Sequence, residues 1–439
     1  MNYNDATTRN SVLNQSLASV LSGLPSYDPN ALSVVDAQYI IRQFTTPLCN
    51  AEKVVLSSAL DRVLANDIVS PINVPGHCNS AMDGYALRGV DLASSKVTKL
   101  KVIGIALAGR PFTSMVAIGQ AVRITTGAIM PEGCDTVVPQ EHLLDASETS
   151  ITIPPDVVRP SENCRLIGED LRLGSTALLA GKILRPADLG LLASLGFGEV
   201  SVRRRLRVAF FSTGDELRSP GETLEPGCIY DSNRYTLYGM LKRLGCDVID
   251  IGVIKDNPTS LRASLNDACE SADVVITSGG ASAGVTDYTR EVTQQMGDVA
   301  FWNITMRPGR PMTFGRICVN DKRAYLFGLP GNPVATMVSF YFFVRAALLR
   351  LMGAQPTPLF KFRVTATCKI KKRVGRTEYQ RGILSSDSNG RQQVEVTGNQ
   401  GSGLLHSMAG ANCIILLEQE RGNVAAGELV DVVLLESLG

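Results

Sequence analysis

The sequence predicts a multidomain chain of mixed α/β and β class. A doubly wound, three-layer domain spans residues 206–354, beside a small β-rich domain, a discontinuous linking domain and a C-terminal β-barrel. Three observations predict it. The 439 residues exceed what one core holds, since roughly 150 residues per domain implies about three domains. Strand-like and helix-like runs alternate at the βαβ interval only beyond residue 205. Short strand-like runs broken by turns fill residues 71–170 and 355–439.

Residues 1–30 are rich in Asn, Ser and Thr, lack the charged-then-apolar layout of a secretion signal, and read as a mobile tail. Ser33-Val34-Val35-Asp36 has the form of a capping box, so a helix starts there and runs through Ile40 and Ile41 towards Pro47. Residues 31–70 and 171–205 are expected to join as the linking and dimerisation domain. Between them Ala121–Thr125 and Thr136–Pro139 read as strands of the small β-rich domain, 71–170.

The α/β domain is the most regular. It predicts strand Leu206–Phe211, helix Tyr235–Leu244 capped by Gly245, strand Asp247–Val253, helix Leu261–Ser271 and strand Asp273–Thr277. Helix Tyr288–Met296, strands Phe301–Met306 and Ala324–Phe327, and a helix from Val334 come next. Such alternation implies a mostly parallel sheet covered on both faces. In the tail, Phe362–Ile370, Tyr379–Leu384, Gln393–Val396, Cys413–Leu417 and Leu429–Leu434 fit a small barrel or sandwich, and a barrel is expected for 355–439.

Composition excludes several functions. The 43 basic groups nearly cancel 42 acidic ones, so no whole-molecule field draws the chain to nucleic acid or anionic lipid, and a small-molecule partner is expected. The runs Arg203-Arg204-Arg205 and Lys371-Lys372-Arg373 read as solvated loops. Ten cysteines without a C-x-x-C, and His77, His142 and His406 without an H-E-x-x-H, argue against a zinc site and for reduced, scattered thiols. The apolar stretch Val334–Met352 is interrupted by Arg345 and Arg350 and reads as a buried helix of a soluble, cytoplasmic protein.

Ligands of doubly wound sheets lie outside the carboxyl ends of the strands. Ser212-Thr213-Gly214-Asp215-Glu216 comes after the first strand and Thr277-Ser278-Gly279-Gly280-Ala281-Ser282-Ala283-Gly284 after the third. Small residues at such turns let backbone amides close around an anion. Neither a Walker A motif nor G-x-G-x-x-G is present. Alone, a glycine-rich turn is equally a tight strand-to-helix connection.

The combination says more. Asp287-Tyr288, Arg307-Pro308-Gly309-Arg310-Pro311 and Leu329-Pro330-Gly331-Asn332-Pro333 add guanidinium groups, carboxylates and an N-cap at one sheet edge. Arginine forks suit a phosphate or a tetrahedral oxyanion, and carboxylates suit Mg²⁺. Taken singly, each Asp or Arg is more readily a helix cap or a surface ion pair.

Six segments occur in order along the chain: Asn79-Ser80-Ala81-Met82-Asp83-Gly84-Tyr85-Ala86, Arg123-Ile124-Thr125-Thr126-Gly127-Ala128, Gly168-Glu169-Asp170, Thr213-Gly214-Asp215-Glu216, Thr277-Ser278-Gly279-Gly280 and Leu329-Pro330-Gly331-Asn332-Pro333. Together they resemble the molybdopterin molybdenumtransferase family, which includes the E domain of gephyrin, from about residue 31 onward.

The resemblance implies an elongated four-part subunit, a homodimer, and a cleft shared by the α/β domain of one copy and the small β domain of the other. It implies that adenylylated molybdopterin is bound, that its pyrophosphate link is cleaved with Mg²⁺ and molybdate, and that AMP leaves while molybdenum joins the dithiolene. It places functional residues at Asp83, Thr126, Asp170, Glu216, Asp256 and Asp287, with Glu216, Asp256 and Asp287 favoured for the metal. Substrate contacts fall on Ser278, Gly279, Gly280, Ser282, Arg307, Arg310, Pro330, Pro333, Arg381 and Ser402. A separate adenylyltransferase and the molybdoenzymes are the implied partners.

Many relatives carry lysine where this chain has Asn303 and Arg307, and often at Arg310. Two alternatives compete with the transferase. One is an adenylyltransferase or nucleotide pyrophosphatase on the same α/β domain, which leaves Met82-Asp83-Gly84-Tyr85 and the C-terminal domain unexplained. The other is a gephyrin-type scaffold, from which loss of the cleft acids is expected; every one of them is present.

Overall fold

The computed structural model describes residues 16–24, 27–48, 50–279 and 288–438. Its central body is a six-stranded sheet in the order Asp247–Ile254, Arg207–Thr213, Val274–Ser278, Lys322–Leu329, Pro311–Val319, Gly297–Asn303. The first four strands run parallel and the last two antiparallel. Pleating sends Val208 and Phe210 into one apolar core and Ala209 and Phe211 into another, so both faces are covered.

Local signals set most of the connections. Asp231 Oδ1 caps the helix Ser232–Arg243 by accepting from Arg234 N, and Gly245, at φ 75°, ends it through Gly245 N→Lys242 O and Cys246 N→Leu241 O. Asn257 caps Pro258–Ser271. The helical run Pro333–Leu351 is long and apolar enough to cross a bilayer, yet Val338, Phe340, Val344 and Leu348 are buried in the core of this domain.

Several expectations need correction. Strand Pro311–Val319 was not foreseen; it returns as Lys322–Leu329 through Asn320-Asp321, with Asn320 at φ 51°, and makes the far edge antiparallel. The strand expected at Phe301–Met306 divides into Gly297–Asn303 in the sheet and Met306–Arg307, which pairs with the C-terminal strand Thr377–Ser386.

The tail expected at 1–30 is docked over its described residues: Leu17 and Val20 are buried, and Ser16 caps the short helix Leu17–Leu21. Helix Val34–Phe44 starts at the Ser33 cap, but it belongs to the α/β body rather than the linking domain. Its apolar face meets the sheet, with Phe44 edge-on to Phe314 at 5.6 Å and to Tyr325 at 6.1 Å. The basic runs are not simply solvated. Arg204 forks onto Asp273 through two 2.7 Å bonds, and Lys372 is buried with Nζ donating to Gln419 O.

The linking domain joins two distant stretches. Ala51–Val55 pairs antiparallel with Glu199–Arg203, and Ile68–Val69 with Thr176–Leu178. The small β domain is a six-stranded sheet in the order Thr136–Pro139, Gly84–Leu87, Gln120–Ile124, Thr98–Ala106, Ser150–Ile153, Asp145–Ala146. The C-terminal domain closes as a barrel, because Thr377–Ser386 pairs with both Gln392–Val396 and Cys413–Leu417, and Phe362–Ala366 and Leu429–Leu434 complete the ring.

Candidate active site

The carboxyl edge of the parallel strands gathers small polar residues. Ser278 ends the Val274–Ser278 strand and is buried, and its hydroxyl accepts from Asn233 Nδ2 at 2.7 Å. The same Nδ2 donates to Gly331 O at 2.7 Å, so Asn233 joins the glycine loop to the Pro330–Pro333 turn. Gly279 has φ 97°, and a Cβ there would lie 2.5 Å from Thr213 O, so only glycine lets the two strand ends close up.

Around this junction Ser212 Oγ, Thr213 Oγ1, Thr277 Oγ1, Asn233 Oδ1 and Asp231 Oδ2 are buried without a hydrogen-bond partner among the described residues. A buried polar atom left unpaired costs about 1–3 kcal/mol, so this cluster is poised for ligand or water.

Asp215, Glu216 and Asp256 sit exposed on neighbouring loops after the first two strands, with Asp256 N donating to Asp215 Oδ1 at 3.3 Å. Among the described residues no three potential metal ligands converge. Pro330 is buried, and its carbonyl accepts from Thr336 Oγ1 at 2.6 Å. Asn332 occupies the N-cap position of the Pro333 helix, but its side chain makes no capping bond; Val334 N is instead satisfied by Ser402 O. Ser402 is therefore brought to this edge through its backbone.

Arg307 and Arg310 are exposed on the loop between the sheet edge and the barrel. Arg381, expected as a substrate contact, is wholly buried instead. Its Nε donates to Ser407 Oγ at 3.0 Å and Nη2 to Asn399 O and Gly401 O, while Nη1 has no partner among the described residues. Burial pulls its pKa below the ordinary guanidinium value. In this arrangement Arg381 braces the loop that carries Ser402 rather than presenting a cation.

A second group lies on the small β sheet. Thr126 donates to Asp83 Oδ1 twice, from its backbone N at 2.6 Å and from its hydroxyl at 2.9 Å. These bonds, the backbone one first, hold the Asp83 carboxyl below its usual pKa although it is fully exposed. Asp170 is also exposed and is anchored by its backbone N to Val74 O. Pairing of Asn79–Ser80 with Cys164–Arg165 links the turns that carry Asp83 and Asp170.

Residues 32–196 match the model of the MoeA N-terminal region (domain I and II), residues 209–350 that of a probable molybdopterin binding domain, and residues 363–435 that of the MoeA C-terminal region (domain IV). A molybdopterin molybdenumtransferase of Haemophilus influenzae is 44% identical over 378 residues, covering 86% of this chain and 92% of that protein. This chain belongs to the molybdopterin molybdenumtransferase family.

Other members agree. The Nostoc sp. enzyme of that name is 35% identical over 88% of this chain and 89% of its own length. The crystal structure of the molybdopterin biosynthesis moeA protein from Pyrococcus horikoshii OT3 superposes with a TM-score of 0.80 at 28% identity, covering 92% of this chain and all of that one.

Of the residues expected at the site, Glu216, Asp256, Ser278, Gly279, Pro330 and Pro333 lie at or just beyond strand ends on the carboxyl edge of the sheet, and Ser402 reaches the Pro333 helix through its backbone. Asp83 and Thr126 form a separate pair with Asp170 nearby on the small β domain. Gly280, Ser282 and Asp287 lie outside the described residues. Sequence reasoning missed Asp231 and Asn233: they come after the short strand Ile229–Tyr230 rather than a main sheet strand, and the strand-end rule did not point there. An acidic cap before a helix was the available signal.

Proposed function

We propose that this chain is a cytoplasmic, homodimeric molybdopterin molybdenumtransferase of molybdenum cofactor biosynthesis. It binds adenylylated molybdopterin, cleaves the pyrophosphate link with release of AMP, and transfers molybdenum from the substrate molybdate to the dithiolene. A separate adenylyltransferase supplies the substrate and molybdoenzymes receive the product. The observation that carries the reading is the cluster of buried, unpaired polar atoms at Ser212, Thr213, Thr277, Asp231 and Asn233 beside Gly279. Such a site favours a polar ligand that restores the missing bonds, as phosphate oxygens and pterin N–H groups do.

Magnesium commonly takes one or two carboxylates, phosphate oxygens and water. The hard-oxygen donors Glu216 and Asp256 fit that chemistry, and Asp287 is assigned with them from the resemblance. When bound, the ion would neutralise charge on the pyrophosphate. The chain's own groups do the rest: Ser278 and the Gly279 turn seat the phosphate link, Arg307 and Arg310 attract the oxyanion, and Asp83 approaches from a second copy with Thr126 fixing its orientation. A band of exposed aliphatic side chains on adjoining stretches of the linking and small β regions, Val69, Ile72, Leu166, Ile167, Leu173 and Leu179, at 45–62% exposure, supports the second copy.

The test is AMP release from adenylylated molybdopterin with Mg²⁺ and molybdate. The unmodified chain is expected to release AMP, and Glu216→Gln to slow release by about 100-fold or more with unchanged melting. No AMP from the unmodified chain overturns the reading; full activity of Glu216→Gln removes that residue from it.

A further inference from the structure

One edge of the six-stranded sheet is the strand Gly297–Asn303, and the loop leading away from it carries Arg307 and Arg310. Sheet edges left open are unpaired backbone. Here the edge is covered by the chain's own N-terminal segment. Leu17 N–H meets the Asp298 carboxylate, and Trp302 Nε1 donates to the Tyr27 hydroxyl at 3.1 Å. Asn303 N donates to Pro29 O at 2.7 Å, Leu32 N to Asn303 O at 3.2 Å, and Thr305 N to Leu32 O at 2.8 Å. Leu17, Val20 and Leu32 are buried in one cluster with Trp302, Ile304 and Met306.

The remaining groups of the loop are tied as well. Ile304 N closes it by donating to Arg310 O at 2.7 Å, and Thr377 N of the barrel donates to Thr305 O at 2.9 Å. Residues 303–305 are therefore gripped between the N-terminal segment and the barrel, and the exposed Arg307 and Arg310 lie just beyond them in the same loop.

The grip matters because of which cations the loop carries. A lysine ammonium on a flexible stem tolerates small backbone shifts, whereas a guanidinium binds through a planar fork whose direction depends on the backbone. This chain has the uncharged Asn303 and two arginines, so anion capture depends on how the loop is held. Residues 16–31 precede the matched family region, which starts at 32.

We propose that residues 16–32 are a positioning element for the oxyanion-binding loop 303–310, setting the affinity for molybdate through Arg307 and Arg310. The inference rests on the reading that these arginines hold the oxyanion. It is tested with the full chain, a variant lacking residues 1–26, and two milder full-length variants, Tyr27→Phe and the double change Leu17→Ser with Val20→Ser. Molybdate affinity is measured by calorimetry, KM and kcat by AMP release, and the folded state by melting.

Removing residues 1–26, and with them the Leu17 and Val20 anchors, is expected to weaken molybdate binding and raise its KM by roughly 10-fold with kcat changed less than about twofold, and the point variants to shift in the same direction. In an Arg307→Ala, Arg310→Ala background the same removal should have little further effect, because the segment acts through those side chains. Unchanged affinity in folded variants, an undiminished effect in the arginine-free background, or no molybdate binding by the full chain each overturns the proposal. Molybdate binding without AMP release defeats only the reaction assigned above and leaves the affinity comparison decisive.

Discussion

The carboxyl edge of the α/β sheet and the Asp83–Thr126 turn both present small polar and acidic residues, but their side chains stand in opposite states. At the sheet edge, hydroxyl, amide and carboxylate oxygens are buried and, among the described residues, unpaired, beside the close strand contact at Gly279. At the turn, the carboxylate is fully exposed and already accepts two bonds from Thr126. One region is an enclosure that lacks its polar complement. The other is a finished acidic projection that lacks only a surface to work against. The difference teaches that binding strength resides in the first region, and that the second contributes when another surface covers it; the proposed cover is the cleft of a second copy.

That contrast is broken most severely by closing the enclosure. Gly279→Ala places a methyl group 2.5 Å from Thr213 O at a positive φ and is expected to lower AMP release by about 100-fold or more, with a stability loss of about 1–3 kcal/mol. Normal activity of this variant would show that the crevice is not where the phosphate link sits.

Asn233→Ala removes the bridge between Ser278 and Gly331. It should raise KM for the adenylylated pterin by roughly 10- to 100-fold, and unchanged KM with normal melting would restrict the side chain to a structural role. Arg381→Met should lower stability by about 1–3 kcal/mol, because Asn399 O and Gly401 O lose a charged donor inside the barrel. Calorimetric melting checks this, and a variant as stable as the parent would contradict the brace.

The smallest effect sharpens the other side. Thr126→Val keeps the backbone bond to Asp83 and deletes the hydroxyl bond, so the Asp83 pKa should rise while staying below the ordinary carboxylate value. The sign comes from linkage: a depressed folded pKa stabilises the ionised form above the unfolded pKa, and that contribution is lost as pH falls through the folded pKa. In the variant the contribution is smaller and its loss is complete at a higher pH. Carbon NMR titration of the carboxyl reads the shift directly, and an unmoved midpoint would discount the hydroxyl.

Much of the fold was legible because its causes are local. Helix Tyr288–Met296 and strand Cys413–Leu417 lie where periodicity placed them, and the Ser33 and Gly245 caps act within a few residues of their helices. The parts that were not legible depend on distant partners. Pro311–Val319 has Gly315 and Arg316 within it and little alternation, and it is a strand because Gly297–Asn303 and Lys322–Leu329 flank it. The polar composition of residues 16–32 hides Leu17, Val20 and Leu32, whose burial requires Trp302 and Ile304.

The site divides in the same way. Glu216, Ser278 and Gly279 sit at the ends of main strands and could be read from the rule for doubly wound sheets. Asn233 reaches Ser278 from a helix start, and Arg381 reads as an available cation because sequence reports charge but not enclosure.

The central claim is that the enclosure of one copy works with the acidic turn of another, and co-expression of two defective chains tests it most directly. Asp83→Asn and Glu216→Gln chains are each expected to be nearly inactive alone. Mixed, they should recover roughly a quarter of normal AMP release, since half the dimers are mixed and each mixed dimer has one intact shared site. Activity of the mixture no higher than that of the separate variants would contradict the account.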